Sequence, residues 1–125
     1  MIDMARKGKF MRVYMFEGPE DKAMEKEWNN YYNKEHAPIV VKHAPNVIRA
    51  YRYVAMERDG KAPKYLTIYE MSTPDAMSDE KSVKERHKAL DTEWFRRIGE
   101  TWKQSRNIGY GDYKQIYPEE GNIIH

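Results

Sequence analysis

The stretch Trp28-Asn29-Asn30-Tyr31-Tyr32-Asn33-Lys34-Glu35-His36-Ala37-Pro38 is the most informative part of this 125-residue sequence. In a helix, Trp28, Tyr32 and His36 are four residues apart and share one face. That face combines an apolar wall, a phenol and an imidazole, where a purely structural helix would favour leucine or isoleucine. Proline disfavours helical geometry in the residue before it and cannot donate its own amide, so we expect Pro38 to end the helix near His36.

The segments around this stretch alternate between strand and helix patterns. The predicted elements are a strand at 9–16, a helix from 21 to 34–36, strands at 47–57 and 65–71, a long helix at 82–102 and a strand at 110–117. Short helical turns are expected at 39–43 and from 72–75, and a hairpin loop at 58–64. This β-α-β-β-α-β order predicts an α+β, ferredoxin-like fold, in which a four-stranded antiparallel sheet carries both helices on one face.

The other face of the predicted sheet also receives alternating Met, Val, Ile and Leu residues. An apolar sheet face of this size is usually covered by another element or by another chain. A second copy of the same chain is the simplest cover, so we expect a homodimer.

Composition narrows the possible functions. The 22 Lys and Arg residues are scattered among 20 Asp and Glu residues, which argues against a dedicated nucleic-acid binder. The absence of cysteine excludes disulfides and thiolate chemistry and fits a cytoplasmic protein. No apolar run approaches the ~18 residues that span a bilayer, and residues 1–9 do not resemble a secretory signal. We therefore expect one domain at 9–117, with no nucleic-acid or membrane partner, and a C-terminal tail at 118–125.

The chain resembles the EthD-like branch of the dimeric α+β barrel superfamily. The matching residues are Trp28, Tyr32, Glu35-His36, Pro38, Pro45-Asn46-Val47 and the run Pro63-Lys64-Tyr65-Leu66-Thr67-Ile68-Tyr69-Glu70. The resemblance covers roughly 9–117 and implies a homodimer with facing sheets and a pocket between each sheet and its own helices. The superfamily includes polyketide cyclases, muconolactone isomerases, cofactor-free monooxygenases, haem-degrading enzymes and decarboxylases, so the resemblance leaves the reaction open.

Four side chains are candidates for proton transfer. His36 could act as an acid and base, or it could merely complement a helix C-terminus. His87 lies in the apolar stripe Val83, His87, Leu90, Trp94 and Ile98, so it should face the sheet as a catalytic group or as a buried structural histidine. Tyr51 and Tyr69 would line the same pocket if the tyrosine-bearing face of strand two also meets the helices.

Aromatic stacking would hold a small aromatic ligand in this pocket. The expected binding residues are Trp28, Tyr32, Trp94, Tyr14, Tyr53 and Arg49. Either Arg49 or Arg52 could bind a substrate carboxylate, since they lie on opposite faces of one strand, and the alternative for each is an ordinary ion pair.

These residues favour a lyase that needs no cofactor or metal. The expected substrate is a hydroxylated aromatic or polyketide-like molecule, and the chemistry is a proton-transfer step such as decarboxylation or dehydration. One alternative is a monooxygenase, either cofactor-free or haem-dependent. The other is a ligand-binding accessory protein without turnover.

Overall fold

The computed structural model describes residues 9–118 and contains one four-stranded sheet. The strands are β1 (Phe10–Phe16), β2 (Val47–Val54), β3 (Tyr65–Met71) and β4 (Asn107–Lys114). Their order across the sheet is β2-β3-β1-β4, and each of the three pairings is antiparallel. The predicted α+β ferredoxin-like sheet is therefore confirmed, although β4 begins three residues before its expected start. The N-terminal residues 1–8 and the tail at 119–125 lie outside the described residues.

The helical segments fall into two groups. The first group is α1 (Lys22–Tyr31), a π-helical turn (Tyr32–His36) and α2 (Ala37–His43). The second group is α3 (Glu80–Leu90), α4 (Glu93–Arg97) and α5 (Gly99–Lys103). No helix within 9–118 is both long enough and apolar enough to cross a membrane.

The first group forms one continuous helix from Lys22 to His43, so the expectation that Pro38 ends the helix is wrong. In α-helical geometry the proline ring would clash with the carbonyl four residues back, at Lys34. The π-helical turn just before it has a wider hydrogen-bond spacing, in which the Ala37 amide donates to the Tyr32 carbonyl. Pro38 then occupies the first turn of α2, where its missing amide is tolerated.

The second group replaces the single helix expected at 82–102. The chain leaves α3 at Asp91, and Thr92 caps a new helix by accepting a hydrogen bond from the Phe95 amide at 3.1 Å. A further break falls at Ile98. These breaks change the helical phase, so the predicted stripe through His87 and Trp94 does not form. The short helix expected from 72–75 is also wrong, because residues 74–78 form turns.

The two faces of the sheet have different surroundings. Tyr69 pairs with Arg12 on one side and Ala50 on the other, and it lies in the core beneath the helices. Tyr51 pairs with Ile68 and therefore projects from the opposite face. The residues Met11, Val13, Met15, Leu66 and Ile68 also lie on that open face. The sheet thus has an apolar outer face, as its alternation predicted.

Candidate functional site

A cavity of about 330 Å³ lies between the sheet and the helices. Its walls come from β1, β3, the π-helical turn, α2, α3 and α5, and from the start of β4. Four of the predicted site residues line it, namely Tyr14, Tyr32, His36 and Tyr69. A fifth, His87, lies at its edge and is exposed. The volume is within the range of small-molecule sites.

Aromatic rings that contact one another form much of the cavity wall. The His36 imidazole lies with its centroid 4.5 Å from Trp102 and 4.9 Å from Tyr32. Tyr32 contacts Phe16 at 5.9 Å, and farther along β1 the Tyr14 ring meets Tyr69 at 6.0 Å, edge to face. Such walls stack well against a flat apolar ligand.

His36 is the base candidate of this cavity. Its Nδ1 is buried and has no hydrogen-bond partner. Burial, with smaller contributions from the positive charges of Arg52 and Arg86, lowers the pKa of His36 to about 4. The imidazole is therefore neutral at pH 7 and can accept a proton. Because it lies between two aromatic rings inside a continuous helix, it does not serve as a helix cap.

Tyr69 is the complementary donor. Its hydroxyl is buried and makes no hydrogen bond of normal length and angle. Burial, followed by the interaction with the neighbouring Tyr32 hydroxyl, raises its pKa well above 10. Burial also raises the pKa of the neighbouring Tyr32 to about 12. Both phenols therefore keep their protons at neutral pH, and the Tyr69 hydroxyl is available to donate to a ligand oxygen.

Arg86 adds a positive charge that the sequence analysis missed. This buried residue of α3 lines the cavity, donates through Nη2 to the Met77 carbonyl, and leaves its buried Nε without a partner. The signal was present in the sequence, since Arg86 lies three residues after Val83 and four before Leu90. That spacing places it on the inward face of a helix.

The expectation that His87 faces the sheet is wrong, because Arg86 takes the inward position and leaves His87 exposed. His87 instead lines the cavity edge and a second hollow of about 260 Å³ together with His36 and Leu90. Asp91, considered as a partner for its ring, lies 3.5 Å from Arg96 in an exposed ion pair.

Several other predicted site residues lie away from the cavity. Tyr51 and Tyr53 stack on each other on the open face, so their expected place in the pocket is wrong. The register is responsible, because it pairs them with Ile68 and Leu66 rather than with Tyr69. Arg49 also lies on the open face, where it binds Glu70 at 2.8 Å, which is the ion-pair alternative.

The two predicted tryptophans have packing roles. Trp28 is fully buried against Phe16 and Tyr65, and its ring lies outside the cavity wall. Trp94 packs edge to face on Tyr31 at 5.4 Å. Their expected role as stacking surfaces in the pocket is wrong, and Trp102 supplies the indole there instead.

A hydrogen bond joins the two helical groups beside the cavity. The Thr92 hydroxyl donates to the Glu35 carboxylate at 2.6 Å while also capping α4. Glu35 directly precedes His36, so this bond ties the π-helical turn to the start of α4. Within 9–118, no three His, Asp or Glu side chains cluster in a way that could hold a metal ion.

Comparison with known proteins identifies the fold class. No protein-family model matches the chain, and neither does any curated protein. Among solved structures, HapK from Hahella chejuensis is 10% identical, with 86% of this chain and 93% of that chain covered at a TM-score of 0.50. A dimeric ferredoxin-like protein from an uncultured marine organism is 8% identical over 87% of each chain, also at 0.50.

A third similar structure is an EthD-like protein from Ralstonia eutropha JMP134. It is 10% identical, with 92% of this chain and 98% of that chain covered at a TM-score of 0.48. The likenesses at a TM-score of 0.50 show that the chain has the ferredoxin-like α+β fold.

Proposed function

We propose that this protein is a cofactor-independent lyase that acts on a small hydroxylated aromatic or polyketide-like acid by proton transfer. The proposal is supported mainly by three side chains that line one aromatic cavity. They are the neutral imidazole of His36, the phenol of Tyr69 and the guanidinium of Arg86, and each has a buried polar atom without a hydrogen bond of normal geometry. These groups supply a base, a hydrogen-bond donor and a positive charge. The hydrogen-bond donor and the positive charge would stabilise an enolate or phenolate.

The volume and walls of the cavity favour a flat ligand of one or two rings. The rings of Tyr32 and Trp102 would contact its faces, and Arg86 would attract its carboxylate or its ionised hydroxyl. Bringing an anion next to Arg86 also removes part of the positive field that disfavours protonated His36. The imidazole would therefore become a stronger base once substrate is bound.

Decarboxylation of an ortho-hydroxybenzoate illustrates the chemistry. His36 takes the phenol proton and returns it to the ring carbon that bears the carboxylate, which gives a neutral ring carbonyl. The carbon–carbon bond to the carboxylate then breaks, carbon dioxide leaves, and the electron pair returns to the oxygen as a phenolate. Tyr69 donates a hydrogen bond to that oxygen and Arg86 neutralises its charge, before the phenolate takes a proton from water.

The test uses 2,4-dihydroxybenzoate as the probe, with product and carbon dioxide followed by proton NMR and a gas electrode. We expect turnover by the wild type, a loss of roughly 100-fold or more in His36→Gln, and a loss of at least ~10-fold in Tyr69→Phe. Tyr51→Phe is the matched control, because Tyr51 lies on the opposite face of the same sheet. We expect Tyr51→Phe to keep wild-type turnover.

Other outcomes separate the alternatives. Binding of the probe without product, unchanged in His36→Gln, would favour the ligand-binding protein. Oxygen consumption with the probe would favour the cofactor-free monooxygenase, and a Soret band after haem addition would favour the haem-dependent one. Turnover that survives in both His36→Gln and Tyr69→Phe would refute the mechanism.

The same proposal includes a homodimer formed through the open face of the sheet. The aliphatic residues of that face, Met11, Val13, Met15, Leu66 and Ile68, form a continuous apolar surface beside Tyr51 and Tyr53. Tyr51 and Tyr53 are 40% and 54% exposed in the single chain, so they extend the exposed apolar surface to the edge of the sheet. A second copy would bury both.

A further inference from the structure

Arg52 is a partly buried cation of β2 that has only neutral partners. Its Nη1 donates to the Asn33 side-chain oxygen at 2.8 Å, and its Nε donates to the Thr67 hydroxyl at 3.3 Å. The guanidinium carbon lies 4.1 Å from the Tyr32 ring centroid and 4.8 Å from that of Trp28. These ring contacts offset part of the cost of burying the charge but provide no counter-ion.

The third guanidinium nitrogen of Arg52, Nη2, is buried and has no hydrogen-bond partner. Five arginines of residues 9–118 are paired with carboxylates, as Arg12 is with Asp112 and Arg49 with Glu70. Burial also lowers the pKa of Arg52, which reflects the missing negative charge. An unpaired buried N–H of a cation is costly, so a bound anion at this position would recover free energy.

A groove of about 610 Å³ runs beside Arg52, between α2 and the edge strand β2. It is distinct from the central cavity and shares no residue with it. The side chains that shape it are mainly apolar, with one amide and two further cations, Lys42 and Arg49, of which Arg49 is paired with Glu70. They include Asn33, Pro38, Val41, Lys42, Ile48 and Arg52.

We propose that this groove binds an amphipathic monocarboxylate, with the carboxylate on Arg52 and the apolar body along Pro38, Val41 and Ile48. Arg52 Nη2 would donate to one carboxylate oxygen. The Asn33 amide nitrogen would donate to the carboxylate as well, because the oxygen of that amide already accepts from Arg52. Two donors and apolar walls suit a singly charged carboxylate better than a phosphate, which needs more donors.

The test is calorimetric titration with octanoate, compared with acetate, octanol and inorganic phosphate. We expect saturable binding of octanoate that is at least ~10-fold tighter than binding of acetate or octanol. Acetate lacks the apolar chain that would contact the groove walls, and octanol lacks the carboxylate that would bind Arg52. Arg52→Gln should weaken octanoate binding by about 10-fold or more. Arg97→Gln is the matched control, because Arg97 is an exposed arginine of α4 that lines neither the groove nor the central cavity, and it should change the affinity less than ~2-fold.

Two results would overturn the proposal. In the first, Arg86→Gln abolishes binding while Arg52→Gln does not, which would place the anion in the central cavity. In the second, phosphate binds as tightly as octanoate. Amide shifts in the wild-type protein give a readout that does not depend on the folding of any variant. We expect octanoate to shift Ala37, Val41 and Ile48 most, and a response centred on Tyr69 and Leu90 would contradict the groove.

Discussion

At the scale of single residues, His36 shows how an apolar setting changes an ordinary side chain. It lies between Tyr32 and Trp102, and its Nδ1 has no partner, so the protonated form gains no hydrogen bond that would offset its desolvation. The pKa of about 4 means that folding favours the neutral imidazole. Protonation must therefore favour the unfolded chain.

This gives a prediction about stability and pH. Since the pKa of His36 falls from an ordinary value near 6.5 to about 4 on folding, its neutral form contributes fully above pH 6.5. The contribution is lost as the pH falls from 6.5 towards 4, by roughly 3 kcal/mol in all. In His36→Gln we expect the free energy of unfolding to fall much less over this range.

Urea unfolding of each protein at pH 7.5 and pH 4.5 measures the effect. Comparing the two pH values within one protein removes the packing cost of the substitution, which is common to both. An equal loss of stability in wild type and His36→Gln would show that the imidazole is not buried in its neutral form.

Tyr69 gives a second prediction, in which stability and function oppose each other. Its buried hydroxyl makes no hydrogen bond of normal length and angle and interacts with the Tyr32 hydroxyl, so Tyr69→Phe removes a polar group whose desolvation is partly uncompensated. We expect Tyr69→Phe to raise the free energy of unfolding by about 1 kcal/mol while weakening binding of the aromatic probe.

Tyr65→Phe is the matched control, since Tyr65 lies on the same strand and its hydroxyl donates to Glu25 at 2.7 Å. That substitution should lower the free energy of unfolding by about 1 kcal/mol. If both variants are destabilised equally in urea, the Tyr69 hydroxyl has a partner in solution.

At the scale of elements, the most consequential feature is the interruption of the helix that follows β3. Thr92 supports that interruption with one hydroxyl, which accepts from the Phe95 amide and donates to Glu35. The hydroxyl thus caps α4 and holds that helix against the π-helical turn. Both bonds help to keep the aromatic wall next to His36.

We expect Thr92→Val to lower the free energy of unfolding by roughly 2 kcal/mol, because the substitution removes a helix cap and a hydrogen bond to a carboxylate. Thr92→Ser keeps the hydroxyl and should stay within about 0.5 kcal/mol of wild type. Urea unfolding checks both variants. Equal losses in the two would show that the methyl group, not the hydroxyl, is what matters.

The elements also show which parts of the site could be predicted from sequence. Alternation along β3 placed Tyr65 and Tyr69 on one face but left open which face meets the helices, and helical spacing placed Tyr32 and His36 on one face, where their rings lie 4.9 Å apart. The prediction that Pro38 ends the helix was wrong, because the effect of a proline on a helix depends on the geometry of the preceding turn. The break at Thr92 was hidden within a continuous apolar pattern, so His87 was expected on the inward face of the helix, where Arg86 lies instead. Tyr51 depended on strand register, which a single strand's pattern does not determine.

At the scale of the whole molecule, the sheet has one face covered by helices and one face left apolar. The proposed homodimer would bury that open face, and its position opposite the cavity leaves both ligand sites of each chain accessible. Facing sheets would therefore stabilise the assembly without consuming either site.

We expect light scattering to give a mass twice the 15.0 kDa of the chain at micromolar concentration. Ile68→Lys, which places a charge at the centre of the open face, should shift the protein to the monomer. Val54→Lys is the control, since Val54 is a 55% exposed residue on the helix side of the same sheet. A wild-type monomer, or dissociation by both variants alike, would contradict the proposed interface.

The π-helical turn makes the cavity depend on the length of the chain as well as on its residue types. Lys34 is exposed within this turn, and most side chains would fit at that position. Removing one residue, however, would rotate everything before the turn by about 100° relative to everything after it. Tyr31 and Trp28 would then face a different direction from Val40. A genetic screen should therefore find Lys34 tolerant to replacement and intolerant to deletion.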